Sequence, residues 1–172
     1  GVAVDSLYLP DLKAFLRYHD LPGRGPARIY LHGLGSASSA DFPGITTHPV
    51  LMGRRSLLVD LLGFGYSDRP RRFGYALEDH ARIVARLLDG LGLMGCAILG
   101  HSMGGSVAIA LAALRPDLVS RLVVAEGNAL SVHNGVVQGS FSLPEASDSV
   151  RVDVLGHAGE LLGSTQLRSE EH

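Results

Sequence analysis

The stretch Gly100–Gly105 reads GHSMGG, and it is the part of the sequence that says most about the fold. It follows a short apolar run, Cys96–Gly100, and leads into Met103–Leu114, which is apolar nearly all round. A G-x-S-x-G pattern between a strand and a buried helix makes a sharp turn, in which the residues two before and two after the serine must lack side chains. The sequence therefore predicts a strained turn that projects the hydroxyl of Ser102 above the carboxyl end of a sheet.

Short apolar runs bounded by glycine, proline or aspartate recur on both sides of this turn, and each is too short for a helix. We interpret them as strands over Ser6–Pro10, Lys13–Asp20, Ala27–His32, Ser56–Asp60, Cys96–Gly100 and Arg121–Glu126. The first two should pair antiparallel, because only a few residues separate them. The others are separated by segments long enough for crossovers, so we predict an α/β fold with a mostly parallel sheet and helices on both faces.

Two helices are predicted among these strands. Before the turn, apolar residues recur at helical spacing while charged residues fall on other faces, which indicates an amphipathic helix ended by Gly90 and Gly92. Its apolar positions are Leu77, Ala81, Val84, Leu88 and Leu91. After the turn, Met103–Leu114 is expected to be a buried helix that ends before Pro116.

The regular pattern stops after Asn128, so we divide the chain into a core over residues 1–128 and a second segment over 129–172. Two interpretations overlap in the second segment. The alternation of Val150, Val152 and Val154 is typical of a strand, whereas a helical repeat runs through Val154, Ala158, Leu161 and Leu162. We favour a helix from about Val150 to Leu162 on this pattern.

Composition excludes several classes of function. The chain has 172 residues, 46% of them hydrophobic and 19% charged, as in globular domains. Its net charge is −2 with no basic cluster, which disfavours nucleic acid, and no apolar run approaches the roughly 18 residues that span a membrane. Cys96 is the only cysteine, which excludes an intramolecular disulfide. We expect a cytoplasmic location. The eight histidines include no pair at i, i+4 spacing, so we expect no metal and no other cofactor.

A serine nucleophile of this kind needs two backbone donors for the oxyanion that forms during acyl transfer. One is the amide of Met103, at the start of the predicted buried helix. The other should lie on the loop after an earlier central strand, where residues 29–36 read IYLHGLGS. We expect the amide of Leu34 to be this second donor, because the flanking glycines let the backbone fold under a substrate.

Three blocks together resemble the α/β-hydrolase superfamily in order and spacing: His32–Gly35 (HGLG), Asp60–Asp68 (DLLGFGYSD) and Gly100–Gly105. The resemblance covers the chain from about Ser6 to Glu126. It implies the α/β-hydrolase fold with a nucleophile elbow at Ser102 and hydrolysis of an ester-like bond. It also implies that the middle block shapes the rim of the pocket, and we interpret most of that block as a turn and Asp60 as structural. The segment 129–172 resembles the beginning of a cap over the site.

In this superfamily an acid and a histidine base follow the nucleophile along the chain. Glu126 ends the strand beside the nucleophile strand and is the candidate acid; the alternative is a carboxylate in solvent or in a structural hydrogen bond. The candidate bases are His133, His157 and His172, although a lone histidine in such a setting is usually a packing or surface residue.

The last two strands of the family, which usually carry these residues, have no convincing counterpart in the sequence. We therefore expect a chain that is truncated at its C-terminus relative to the family. A parallel sheet that lacks its last strands exposes an edge, which would favour a homodimer.

These inferences predict a serine hydrolase that acts on carboxylic esters or similar small acyl substrates through an acyl-enzyme on Ser102. The expected partner is a small-molecule ester, with no nucleic acid and no membrane. The alternative is a non-catalytic binding module, or an inactive truncated product, that has the fold without the catalytic histidine. Turnover of an ester distinguishes the two.

Overall fold

The computed structural model describes residues 3–32, 53–101, 103–125, 131–133, 136–138, 150–155 and 161–167, with side chains up to Val123. Its strands are β1 (Asp5–Leu9), β2 (Ala14–Leu21), β3 (Arg24–Leu31), β4 (Arg54–Asp60), β5 (Cys96–His101), β6 (Val119–Ala125), β7 (Ser131–His133), β8 (Val136–Gln138), β9 (Val150–Leu155) and β10 (Leu161–Leu167). The described helices are α1 (Leu77–Gly90), α2 (Met103–Leu114) and a 3₁₀ turn (Pro116–Leu118).

Eight of the strands form one sheet in the order β1-β2-β4-β3-β5-β6-β9-β10. The four strands β4, β3, β5 and β6 run parallel to one another, and β9 continues the parallel set beside β6. At one side β1 and β2 form an antiparallel hairpin, and β2 is antiparallel to β4. The six predicted strands and the antiparallel pairing of the first two are confirmed. The short strands β7 and β8 pair separately.

The prediction of a helix from Val150 to Leu162 is wrong, because the structure has the two antiparallel strands β9 and β10 there. The alternating valines decided the outcome: β-branched residues at period two fit a pleated strand, and β6 offered unpaired backbone groups to pair with. Val152 lies opposite Leu122 in the resulting parallel ladder. The outer edge of β6 is therefore occupied, and in the described chain the free edge on this side belongs to β10. Homodimer formation through a sheet edge stays a prediction.

Both predicted helices are confirmed. Helix α1 ends in a Schellman motif, in which the N–H of Gly92 donates to the carbonyl of Asp89 at 3.1 Å and the N–H of Leu93 to that of Leu88 at 2.9 Å. Gly92 has φ +67°, which explains why a glycine stands there. Helix α2 is buried along most of its length, as its apolar sequence predicts.

The main core lies between the sheet and these two helices. Ile29, Leu57 and Ile98 point from three neighbouring strands into it, and all three are fully buried. Alternate residues of the same strands, Tyr30 and Leu58, form a smaller cluster on the opposite face. Both described helices pack on the first face, and helices on the second face stay a prediction. No helix within the described ranges is long and apolar enough to cross a membrane.

Candidate active site

The junction between β5 and α2 has the strand-turn-helix arrangement that the GHSMGG stretch predicts. Strand β5 ends at His101 and helix α2 begins at Met103, so Ser102 is the one residue that joins them. Ser102 itself lies outside the described residues.

The glycines two residues before and after Ser102 are required by close backbone packing. A Cβ on Gly100 would collide with the carbonyl oxygen of Gly104 and lie 2.5 Å from the Cα of Gly105. A Cβ on Gly104 would collide with the carbonyl oxygen of Leu31 and lie 2.5 Å from that of His32. These obstacles are backbone atoms, which cannot rotate away as a flexible side chain could. The first turn of α2 is thus pressed against both β5 and the end of β3.

This packing brings the N-terminus of α2 to the point where the predicted oxyanion loop begins. The N–H of Met103 belongs to the first turn of a helix, where amides have no intrahelical partner and the helix dipole favours negative charge. Leu34 lies outside the described residues, two positions after His32. The part of β3 that leads to it lies directly against Gly104.

His32 connects this point to the next strand. Its side chain is fully buried, and its Nε2 accepts a hydrogen bond from the backbone N–H of Leu61 at 2.9 Å. The imidazole ring also packs edge-on against Phe64, with ring centroids 5.2 Å apart. The sequence pattern places His32 in the loop motif but carries no signal for this bond, which joins the ends of β3 and β4.

The block Asp60–Asp68 folds into a compact turn after β4, as expected. The Asp60 carboxylate accepts a hydrogen bond from the N–H of Tyr66 at 3.0 Å, and the Asp60 carbonyl accepts one from the Ser67 hydroxyl at 2.5 Å. Asp60 is 1% exposed. These bonds give Asp60 the structural role that the sequence suggested.

The far end of this turn is fastened to β2. Asp68 accepts hydrogen bonds from the Arg17 guanidinium at 2.7 Å and from the backbone N–H of Phe15 at 2.8 Å, and these donors lower the pKa of its carboxyl group. Arg17 also donates to the carbonyl of Tyr66 at 2.8 Å. The sequence carried no signal for Arg17, because its partner lies 51 positions away along the chain.

A second buried histidine, His80, lies on α1 beneath two aromatic rings. It is 2% exposed, and its ring lies 5.0 Å from Phe73 and 6.0 Å from Tyr75. Burial lowers its pKa from 6.5 to about 4, helped by repulsion from His32 and opposed by Asp79. His80 is therefore neutral at physiological pH.

The candidate acid follows β6. Glu126 lies outside the described residues, one position after Ala125, which is in register with His101. Glu126 and Ser102 therefore follow residues that are paired on adjacent strands. Of the candidate bases, the backbone of His133 ends β7, and His157 and His172 lie outside the described residues. Within the side chains that are described, no group of three or more His, Cys, Asp or Glu residues could hold a metal ion.

Comparison with known proteins identifies similar chains. A family profile described as the alpha/beta hydrolase fold matches residues 27–171. An uncharacterised protein of Mycobacterium tuberculosis is 31% identical over 178 residues, which cover 96% of this chain and 51% of that protein. The mouse sn-1-specific diacylglycerol lipase is 38% identical over 129 residues, which cover 73% of this chain and 41% of the lipase. The chain spans about half the length, or less, of these curated relatives.

A solved structure gives the same result for the fold. The crystal structure of a probable hydrolytic enzyme from Pseudomonas aeruginosa aligns with a TM-score of 0.68 at 26% identity. The alignment covers 75% of this chain and 43% of the other.

Proposed function

Because the chain belongs to the α/β-hydrolase fold family, we propose that it is a serine hydrolase of carboxylic esters or similar small acyl substrates. The observation that carries the proposal is the strand-turn-helix junction at Ser102. Both flanking glycines are held against backbone atoms there, as a nucleophile turn requires. The likeness to a mouse diacylglycerol lipase supports an ester as the substrate class.

In the proposed reaction, the Ser102 hydroxyl attacks the carbonyl carbon of the ester and gives its proton to a base. The amides of Leu34 and Met103 donate hydrogen bonds to the oxyanion, which collapses and releases the alcohol as the protonated base gives its proton to the leaving oxygen. Water then attacks the acyl-enzyme, releases the carboxylic acid and restores the serine. Losing one oxyanion donor typically slows such reactions by roughly 10²–10³.

We propose Glu126 as the acid that orients the base, since it follows the strand next to the nucleophile strand. The base itself is not assigned to one residue. His133, His157 and His172 remain the candidates, each of which follows Ser102 in the order that the family requires.

The test is covalent labelling of the purified chain with a fluorophosphonate, followed by intact mass and peptide mapping. An adduct on Ser102 and hydrolysis of a short-chain p-nitrophenyl ester are the expected results. Ser102→Ala should lose both, with a fall in kcat of about 10⁶ for a triad serine. Ser120→Ala is the matched control and should keep both, because this serine bonds to the carbonyl of Gly95 on the far end of the sheet.

The same experiment distinguishes the alternative function. A folded chain that binds an ester analogue but forms no adduct and no product would be a binding module with the hydrolase fold. Hydrolysis that survives in Ser102→Ala would contradict the serine mechanism.

A further inference from the structure

Three arginines that are scattered through the sequence lie on the amino-terminal parts of the neighbouring strands β3 and β4. Arg24 is the first residue of β3 and is in register with Arg54, the first residue of β4. Arg28 lies further along β3, in register with Ser56. Arg24 and Arg54 are exposed, and Arg28 is half-buried. This arginine cluster is at the opposite end of β3 and β4 from the strand ends that precede the candidate catalytic residues.

A bulge in β3 shortens the distance between Arg24 and Arg28. The two are four residues apart in β3, but their partners Arg54 and Ser56 are only two residues apart in β4. Because a strand rises about 3.3 Å per residue, the partners are roughly 7 Å apart, and the bulge gives Arg24 and Arg28 a similar separation along the sheet. Neighbouring strands lie about 4.8 Å apart. The three arginines therefore occupy an area that one small ligand can cover.

Gly25 makes room for the Arg54 side chain to lie across β3. A Cβ on Gly25 would be 2.6 Å from the Arg54 Nη1, and Gly25 has φ +79°. The N–H of Arg24 donates to the carbonyl of Gly53 at 2.6 Å, which joins the beginnings of the two strands. The guanidinium of Arg54 is thus placed against the part of β3 that connects Arg24 to Arg28.

No carboxylate pairs with these three side chains within the part of the chain whose side chains are described. The contrast with the next residue is direct, because Arg55 pairs with Asp20 at 2.8 Å. Like charges in register on neighbouring strands repel each other, so the pair of Arg24 and Arg54 destabilises the sheet until an anion neutralises it. The cluster therefore has the charge and the open donors of an anion site.

We propose that Arg24, Arg28 and Arg54 form a binding site for a phosphate monoester. A phosphate monoester carries a charge of about −1.5 to −2 at pH 7 and has three strong acceptor oxygens. The planar fork of a guanidinium matches phosphate oxygens, and a single carboxylate would leave most of the positive charge of the cluster uncompensated. The area suits one phosphate group, whereas nucleic acid presents a row of them. This site does not depend on the proposed hydrolase function.

Isothermal titration calorimetry of the full chain with glycerol 3-phosphate, at constant ionic strength, tests the proposal. We expect saturable binding to the wild type and at least about tenfold weaker binding to Arg28→Gln and to Arg54→Gln, since each variant loses a charge-assisted hydrogen bond. Arg82→Gln is the matched control, because it removes the same charge from an exposed position on α1. It should bind as the wild type does, and circular dichroism checks that all variants are folded.

Co-sedimentation with vesicles identifies the source of the phosphate group. Binding of glycerol 3-phosphate without sedimentation would support a soluble phosphate ester as the ligand. Sedimentation with vesicles that contain phosphatidic acid, but not with vesicles of phosphatidylcholine alone, would support the headgroup of a lipid, provided that Arg54→Gln sediments less. Absence of binding to both probes, or binding that Arg28→Gln and Arg54→Gln leave unchanged, would overturn the proposal.

Discussion

At the residue scale, Gly104 illustrates how backbone packing around the proposed nucleophile, Ser102, restricts the sequence. We expect Gly104→Ala to destabilise the chain by about 1–3 kcal/mol, the usual cost of forcing an extra carbon into a packed interior. The new Cβ would meet the carbonyl oxygens of Leu31 and His32, so either α2 or the end of β3 must move. Urea unfolding measures the loss, and labelling of Ser102 should slow in the same variant.

Gly90→Ala is the control for this substitution. Gly90 is the last residue of α1, and a Cβ there meets only the Leu7 Cδ1 at an ordinary 3.9 Å. Alanine favours a helix over glycine by roughly 0.5–1 kcal/mol, so this variant should be as stable as the wild type or more so. An equal loss in both variants would contradict the packing argument for Gly104.

The buried side chain of His80 should make the stability of the folded chain depend on pH. Its pKa is about 4 in the folded chain and 6.5 for a histidine in solvent, as in the unfolded chain, so between these values the unfolded state binds more protons. Stability therefore rises with pH through this window. A pKa shift of this size lowers the free energy of unfolding by about 2 kcal/mol when the pH falls from 7.5 to 5.

His80→Leu removes this titration and keeps the position apolar. Its free energy of unfolding should fall less than that of the wild type when the pH is lowered from 7.5 to 5, and urea unfolding at both pH values measures the difference. Equal falls in the two proteins would show that His80 does not titrate across this window.

At the element scale, several hydrogen bonds hold the turn after β4 against the β1–β2 hairpin, and Asp68 makes three of them. Asp68 accepts from the Arg17 side chain and the Phe15 backbone, and its own N–H donates to the carbonyl of Phe15 at 3.0 Å. Arg17 also stacks over the Phe15 ring at 5.2 Å. These contacts join two elements that lie far apart in the sequence.

We expect Asp68→Ala to destabilise the chain by about 1 kcal/mol, because it removes a partly exposed ion pair and a backbone acceptor. Asp11→Ala is matched to it, since Asp11 also pairs with one arginine, Arg86, and the change in charge is the same. Asp11 is exposed, so Asp11→Ala should lower the free energy of unfolding by less than Asp68→Ala does. Thermal unfolding of both variants in low and moderate salt checks the order, and a larger loss for Asp11→Ala would contradict it.

At the scale of the whole molecule, the parallel order of four strands places the strand ends that precede the candidate residues side by side. The carboxyl ends of β4, β3, β5 and β6 lie along one edge of the sheet, which is where open α/β sheets bind ligands. Asp60 ends β4, and three candidate residues directly follow the other strands: His32, Ser102 and Glu126. These positions are scattered through the sequence, and the strand order makes the strand ends that precede them neighbours in the sheet.

The sequence by itself determined the local structure of the core and the type of turn at its centre. The six strands, the two helices and the glycines around Ser102 were all predictable, since they depend on hydrophobic periodicity and on steric demands within a few residues. The family followed from the same short blocks. These signals are local, so no knowledge of the tertiary contacts was needed to recognise them.

Only the tertiary structure decided the features that depend on which segments become neighbours. The segment from Val150 to Leu155 satisfied both periodicities, and its pairing with β6 made it a strand. His32 bonds to Leu61 and Arg17 to Asp68 because β3 and β2 both lie beside β4, an order that no local pattern encodes. Burial shifts the pKa of His80 for the same reason: the low-polarity environment is built by residues from outside its own helix.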